Sequence, residues 1–107
     1  MTKFILYSNK EHFIGYEVSG HSTTDANDTL GRQICSAVSS AVIMTANTLS
    51  DVLCTKAQVD VSDGYLKVTL ENPDEKSDLI IKGLELHMNE LAKEHKGKIK
   101  IIDGGLH

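Results

Sequence analysis

A chain of 107 residues with 40% apolar and 24% charged side chains, one proline and no tryptophan has the composition of one soluble globular domain spanning 1–107, which excludes disorder and a multidomain architecture. A formal net charge of −4 excludes the basic surface expected of a general nucleic-acid binder and suits a basic protein or peptide as partner. No apolar run approaches the roughly 20 residues of a membrane helix and residues 1–8 are too short for a signal peptide, so the expected location is the cytoplasm, with no membrane association and both cysteines as reduced thiols.

The elements follow in order. Residues 2–8 read as a strand, 9–12 as a turn, and 13–20 as a second strand in which Ile14, Tyr16 and Val18 alternate with Gly15, Glu17 and Ser19. Residues 22–30 are dominated by Ser, Thr, Asp and Asn and show neither helical nor strand period, which marks a loop. From about 31 to 53, Ile34, Val38, Ala41, Val42, Thr45, Leu49 and Val52 follow helical spacing, on a helix whose many Ala and Ser residues let it lie close to a sheet. Such a helix separates Cys35 from Cys54 by about 28 Å, too far for a disulfide.

A second hairpin comes next. Ala57, Val59 and Val61 alternate with polar residues, Asp63-Gly64 supplies the turn, and Leu66, Val68 and Leu70 alternate on the return. Asn72-Pro73-Asp74-Glu75 reads as an N-cap, a proline at the first helical position and acids in the first turn. The helix it opens carries Ile80, Leu84, Met88, Leu91 and His95 along one stripe and stops at Gly97. Residues 98–103 form a last short strand, and Gly104-Gly105 a loose tail. The order ββαββαβ predicts an α+β, two-layer fold: a mostly antiparallel sheet with two helices on one face.

The chemistry concentrates in Gly20-His21 and in Ile34-Cys35-Ser36-Ala37-Val38-Ser39. His21 falls at the end of a strand and Cys35 at the expected start of a helix, so two elements meeting end to end bring an imidazole to a thiol. A helix N-terminus and an imidazolium both favour the thiolate, lowering a thiol from a pKa of about 8.5 to between roughly 3.5 and 7.5. That is a cysteine nucleophile with its base. Backbone N–H groups left unpaired at the helix start are the expected oxyanion donors, worth about 3 to 4 kcal/mol each. The loop 22–30 is then a lid hinged at Gly20 and Gly31. Taken singly, each residue has a simpler role: Cys35 as core packing, His21 as a strand-end residue, Ser39 bonding the carbonyl one turn back, and Cys54 as structural. His12, His87, His95 and His107 read as solvent-facing, with His95 also suited to the negative end of the second helix. Phe4, Phe13 and Tyr65 are left over for a subsite or a dimer contact.

The run Gly20-His21, a polar loop, Gly31, then Ile34-Cys35-Ser36-Ala37-Val38-Ser39, in a chain of this length and element order, resembles the ribosomal-processing cysteine protease family, Prp. The resemblance implies an endopeptidase that removes the N-terminal extension of the large-subunit ribosomal protein numbered twenty-seven, and a homodimer without a cofactor. It implies His21 and Cys35 as the catalytic pair, Ser39 one turn later and Gly20 before the histidine as supporting residues. The family pattern Gly-x-Asp-Ile-Val-Cys is one residue longer than Gly31 to Cys35, and Arg32 stands where it carries Asp. Asp28 and Asp25 are the carboxylates near enough in sequence to replace it. Two other classes stand beside the protease. A metal site on His21, Cys35 and a third ligand lacks CxxC or HExxH spacing. A non-catalytic, ribosome-associated module would instead pair a sheet edge with an extended peptide.

Overall fold

Alternation of apolar and polar side chains makes strands where the sequence shows it. β1 spans Thr2–Ser8 and β2 Phe13–Ser19, antiparallel about a turn in which the Asn9 side chain accepts from the backbone N–H groups of Glu11 and His12. β3, Ala57–Ser62, and β4, Tyr65–Leu70, form the second hairpin, with Gly64 at φ +68° in its turn. α1 runs Thr29–Asn47 and continues as a π-helical turn, Thr48–Val52; α2 runs Glu75–Glu94; β5 is Ile99–Leu106. The structure is a computed structural model that describes residues 1–20 and 27–106. His21 and residues 22–26 of the expected lid lie outside the described residues.

The five strands form one sheet in the order β3-β4-β2-β1-β5, antiparallel except for the parallel pair β1–β5. This is the two-layer ββαββαβ arrangement expected from the pattern. One face of the sheet contributes Phe4, Leu6, Tyr16, Val18, Val68, Leu70 and Ile99 to the core, and both helices cover that face with Ile34, Val38, Val42, Leu49, Ile81, Leu84 and Met88. Full burial of a side chain such as Phe4, Ile34 or Ile81 stabilises by about 1.5 to 3 kcal/mol. The Tyr16 hydroxyl, deep in this layer, donates to the Val42 carbonyl at 2.8 Å and so pins the middle of α1 to the sheet.

Several expectations are corrected. α1 begins at Thr29, not Gly31, because Asp28 accepts from the Gly31 N–H at 2.9 Å and caps the helix; two residues assigned to the loop are helical. Val52 is 79% exposed rather than core, since the π-helical turn widens the spiral after Leu49 and rotates it off the buried stripe. The cap of α2 is Asp74, not Asn72. Asp74 accepts from the Ser77 N–H while the Ser77 hydroxyl accepts from the Asp74 N–H, both at 2.9 Å, so two donors are satisfied together and Pro73 lies before the helix. Gly104 and Gly105 are not a loose tail but part of β5, whose Leu106 pairs with Ser8. Phe4 is fully buried and available to no subsite. His12 is not merely solvated: its Nδ1 meets Asp78 Oδ2 at 2.7 Å, and Asp78 Oδ1 accepts from the Phe13 N–H, tying the first hairpin to α2.

Candidate active site

Cys35 lies on α1 in a row with Ser39 and Ile43, spaced i, i+4, i+8, beside the buried row Ile34, Val38 and Val42. That row forms one wall of a groove of about 420 Å³. Residues 61–66 at the tip of the β3–β4 hairpin form the opposite wall, with Thr2, Val18 and Gly20 closing one end. Cys35 is half-buried in it, Ser39 is exposed one turn further along, and neither cysteine is in a disulfide. The groove is apolar on both sides, through Val38, Ile43, Val61 and Leu66, with Asp63 and Tyr65 supplying polar atoms at the hairpin tip.

Gly20 is held in place by both its conformation and its neighbours. Its N–H donates to the Gly64 carbonyl at 3.0 Å, joining the end of β2 to the hairpin turn, and its φ is +83°. A Cβ at this position would fall 2.5 Å from the Met1 carbonyl oxygen, so only glycine fits. The strand therefore delivers the chain to the groove at a fixed point, one peptide bond before His21.

Two parts of the expected chemistry are corrected. Cys35 is the seventh residue of α1, roughly 9 Å along the axis from its start, beyond the first turn over which a helix end acts strongly on a charge. Two donors there are also taken: Gly31 N–H by the Asp28 carboxylate and Arg32 N–H by the Asp28 carbonyl at 3.0 Å. At Cys35 the N–H belongs to the helix interior, where it bonds the carbonyl four residues back. The start of α1 thus supplies no oxyanion donors beside the sulfur. Asp28, a candidate replacement for the carboxylate that Arg32 displaces, is the cap of the helix; Asp25 lies outside the described residues.

A larger groove of about 620 Å³ runs between α1 and α2, lined by Ala37, Ala41, Met44, Ile80, Gly83 and His87 among others. Its lining carries one imidazole and the hydroxyls of Ser40, Thr45 and Thr48, the two threonines donating to the Ala41 and Met44 carbonyls, but no thiol, so a cysteine nucleophile points to the smaller groove. Apart from Tyr65, expected at a subsite or a dimer contact, the hairpin tip was not legible as part of the site: Val61 and Gly64 line the groove with Cys35 only through the order of strands, and the Asp63-Gly64 turn signal marks a reversal without saying what it faces. No helix of the described residues is long and apolar enough to cross a membrane.

Comparison with known proteins bears on this groove. A family model described as cysteine protease Prp matches residues 1–100. The ribosomal processing protease Prp of S. aureus, solved with a covalently linked product peptide, superposes with a TM-score of 0.85 at 13% identity, covering 96% of this chain and 99% of that one. The same protein with a substrate peptide gives 0.85 at 12% identity, with coverage of 96% and 99%. SMU.848 from Streptococcus mutans gives 0.77 at 24% identity, covering 96% of this chain and 95% of that one. No curated protein matches in sequence.

Proposed function

The chain belongs to the cysteine protease Prp family, and on that premise we propose that it is an endopeptidase that removes the N-terminal extension of the large-subunit ribosomal protein numbered twenty-seven, with Cys35 as nucleophile and His21 as its base. The observation that carries the reading is the groove itself. Cys35 lines it, and so does Gly20, the residue that precedes His21 in the sequence. The S. aureus ribosomal processing protease, of the same fold, has been solved with substrate and product peptides, which supports a peptide as the ligand of this groove. A net charge of −4 favours a basic segment of the kind ribosomal proteins carry.

In the proposed reaction His21 takes the proton of Cys35 and the thiolate attacks the scissile carbonyl carbon. The tetrahedral oxyanion collapses to a thioester as the C–N bond breaks, and His21 gives its proton to the leaving amine. Water, deprotonated by His21, then cleaves the thioester, releasing the new carboxylate and restoring the thiol. Ser39, one turn beyond Cys35 on the same wall, supports the peptide there. No cofactor takes part, no nucleic acid is contacted directly, and the working form is a cytoplasmic homodimer.

The test is mass spectrometry of the extended ribosomal protein after incubation with the chain and with Cys35→Ala. A single cut near the substrate N-terminus that the variant does not make is the expected result. Substrate that is retained uncut by folded protein with a reduced thiol would instead identify a peptide-binding module that does not need Cys35.

A further inference from the structure

Among the described residues, a five-stranded sheet in this order leaves two strands with an open long side, β3 and β5. Sheet edges are ordinarily guarded by lysines, prolines or irregular pairing, because an open row of N–H and C=O groups recruits other strands. β5 is guarded: Lys98 precedes it, Lys100 lies within it, and its pairing with β1 shifts register between Leu6 and Ser8. β3 is less guarded: Lys56 precedes it and pairs with Glu71, but the strand itself contains neither lysine nor proline and pairs with β4 through six residues without a shift. Val59 and Val61 are 44% and 70% exposed. Its single charge, Asp60, alternates to the other face of the sheet.

The hairpin register decides which backbone groups on β3 are open. Ser62 and Tyr65 face each other across a two-residue turn, so they exchange hydrogen bonds, and so do the pairs Asp60–Lys67 and Gln58–Thr69 two steps apart. The intervening residues, Val59 and Val61, point their N–H and C=O groups away from β4. Their side chains meanwhile lie on the helix-bearing face, and Val61 lines the Cys35 groove together with Ile43 of α1. Backbone bonding capacity and apolar contact surface therefore run along one line that ends at the nucleophile.

We propose that the substrate peptide binds as an added strand on the outer edge of β3, pairing its main chain with Val59 and Val61 and placing alternate side chains in the groove beside Cys35. This rests on the protease reading of that groove. The occupant is an extended segment of about six residues, the length of β3, recognised first through its backbone and then through every second side chain. A main-chain mode of recognition suits a protease, since strand pairing holds a peptide in the extended form that exposes its carbonyls.

The experiment uses a synthetic peptide spanning the junction of the ribosomal extension. Val59→Pro and Val61→Pro remove one outward N–H each at positions where an edge strand tolerates proline. They are expected to lower kcat/KM on the order of tenfold while melting near the parent temperature. Because a proline variant can fail to fold, the parent enzyme is also assayed with peptides N-methylated at successive positions; the loss must recur at every second residue. Hydrogen exchange of the Cys35→Ala chain must show the Val59 and Val61 amides slowed by added peptide. Folded proline variants of parental kcat/KM, or an N-methyl series without period two, overturn the assignment to β3 while leaving the protease intact. Amides already protected without peptide show that a second copy of the chain occupies the edge, and overturn it too. A parent chain that neither cuts nor binds the peptide overturns the protease reading and this inference together.

Discussion

Replacing Gly20 by alanine tests whether the junction between the sheet and residue 21 is as constrained as its geometry states. Two costs add. At φ +83° an L-residue sits in the left-handed region, at about 1 to 2 kcal/mol relative to glycine. The new methyl group also lands 2.5 Å from the Met1 carbonyl oxygen, and relieving such overlap in packed structure costs about 1 to 3 kcal/mol. Allowing for partial relaxation, the sum is roughly 2 to 4 kcal/mol, a large share of the 5 to 15 kcal/mol typical of a domain. For a domain of this size that lowers Tm by roughly 8 to 30 °C. The relaxation is expected to stretch the Gly20 N–H to Gly64 carbonyl bond, moving Gly20 out of its place in the wall of the Cys35 groove. Calorimetric melts of Gly20→Ala, with peptide cleavage assayed well below its Tm, should show both stability and kcat/KM falling. An unchanged Tm would refute the steric argument, and a lower Tm with parental kcat/KM would refute the link between Gly20 and the catalytic geometry.

Stability should depend on pH through His12, whose pKa is raised chiefly by its hydrogen bond to Asp78 and further by the surrounding charges of Asp78, Glu11 and Asp74. A raised folded-state pKa means the stabilisation is complete below the unfolded value of about 6.5 and is lost as pH climbs through the folded value. Urea midpoints of the parent chain should therefore decline across that window, and those of His12→Gln should not; parallel curves would show that the pair does not contribute. Cys54 is the single non-glycine residue with positive φ among the described residues, at +59°, and its side chain is exposed. Cys54→Gly should thus be neutral or stabilising by up to about 1 kcal/mol and Cys54→Val destabilising by about 1 to 2 kcal/mol. Chemical denaturation reads both, and equal midpoints for the two variants would contradict the backbone argument.

The strands were legible because their signal is local. The alternation in β1, β3 and β4 and the Asp-Gly turn fix their own boundaries, and the structure keeps them within a residue. Helix starts were less legible, for a physical reason visible at Asp28 and Asp74. Both lie in polar stretches where Asn, Asp, Ser and Thr all qualify as caps, and the choice depends on which side chain reaches an N–H three residues on. The extension of β5 through two glycines was hidden for the opposite reason. Gly104 reads as a breaker, yet a Cβ there would fall 2.5 Å from the Tyr7 ring, so it is the residue that lets the strand pass beside β1. Of the site, Cys35, Ser39 and Gly20 were visible as residues. Their common groove with the β3–β4 tip was not, because it arises from strand order rather than from spacing.

The position of β1 sets the order in which this chain can acquire its structure. Strand β1 is made first and lies between β2, its immediate successor, and β5, whose Ile99 pairs with Thr2. One side of β1 is satisfied as soon as the first hairpin closes, whereas the other waits until nearly all of the chain has been synthesised. The groove walls, α1 and the β3–β4 hairpin, are complete long before then. Closing β1 against β5 spans almost the whole described chain, so this pairing costs more loop-closure entropy than either hairpin.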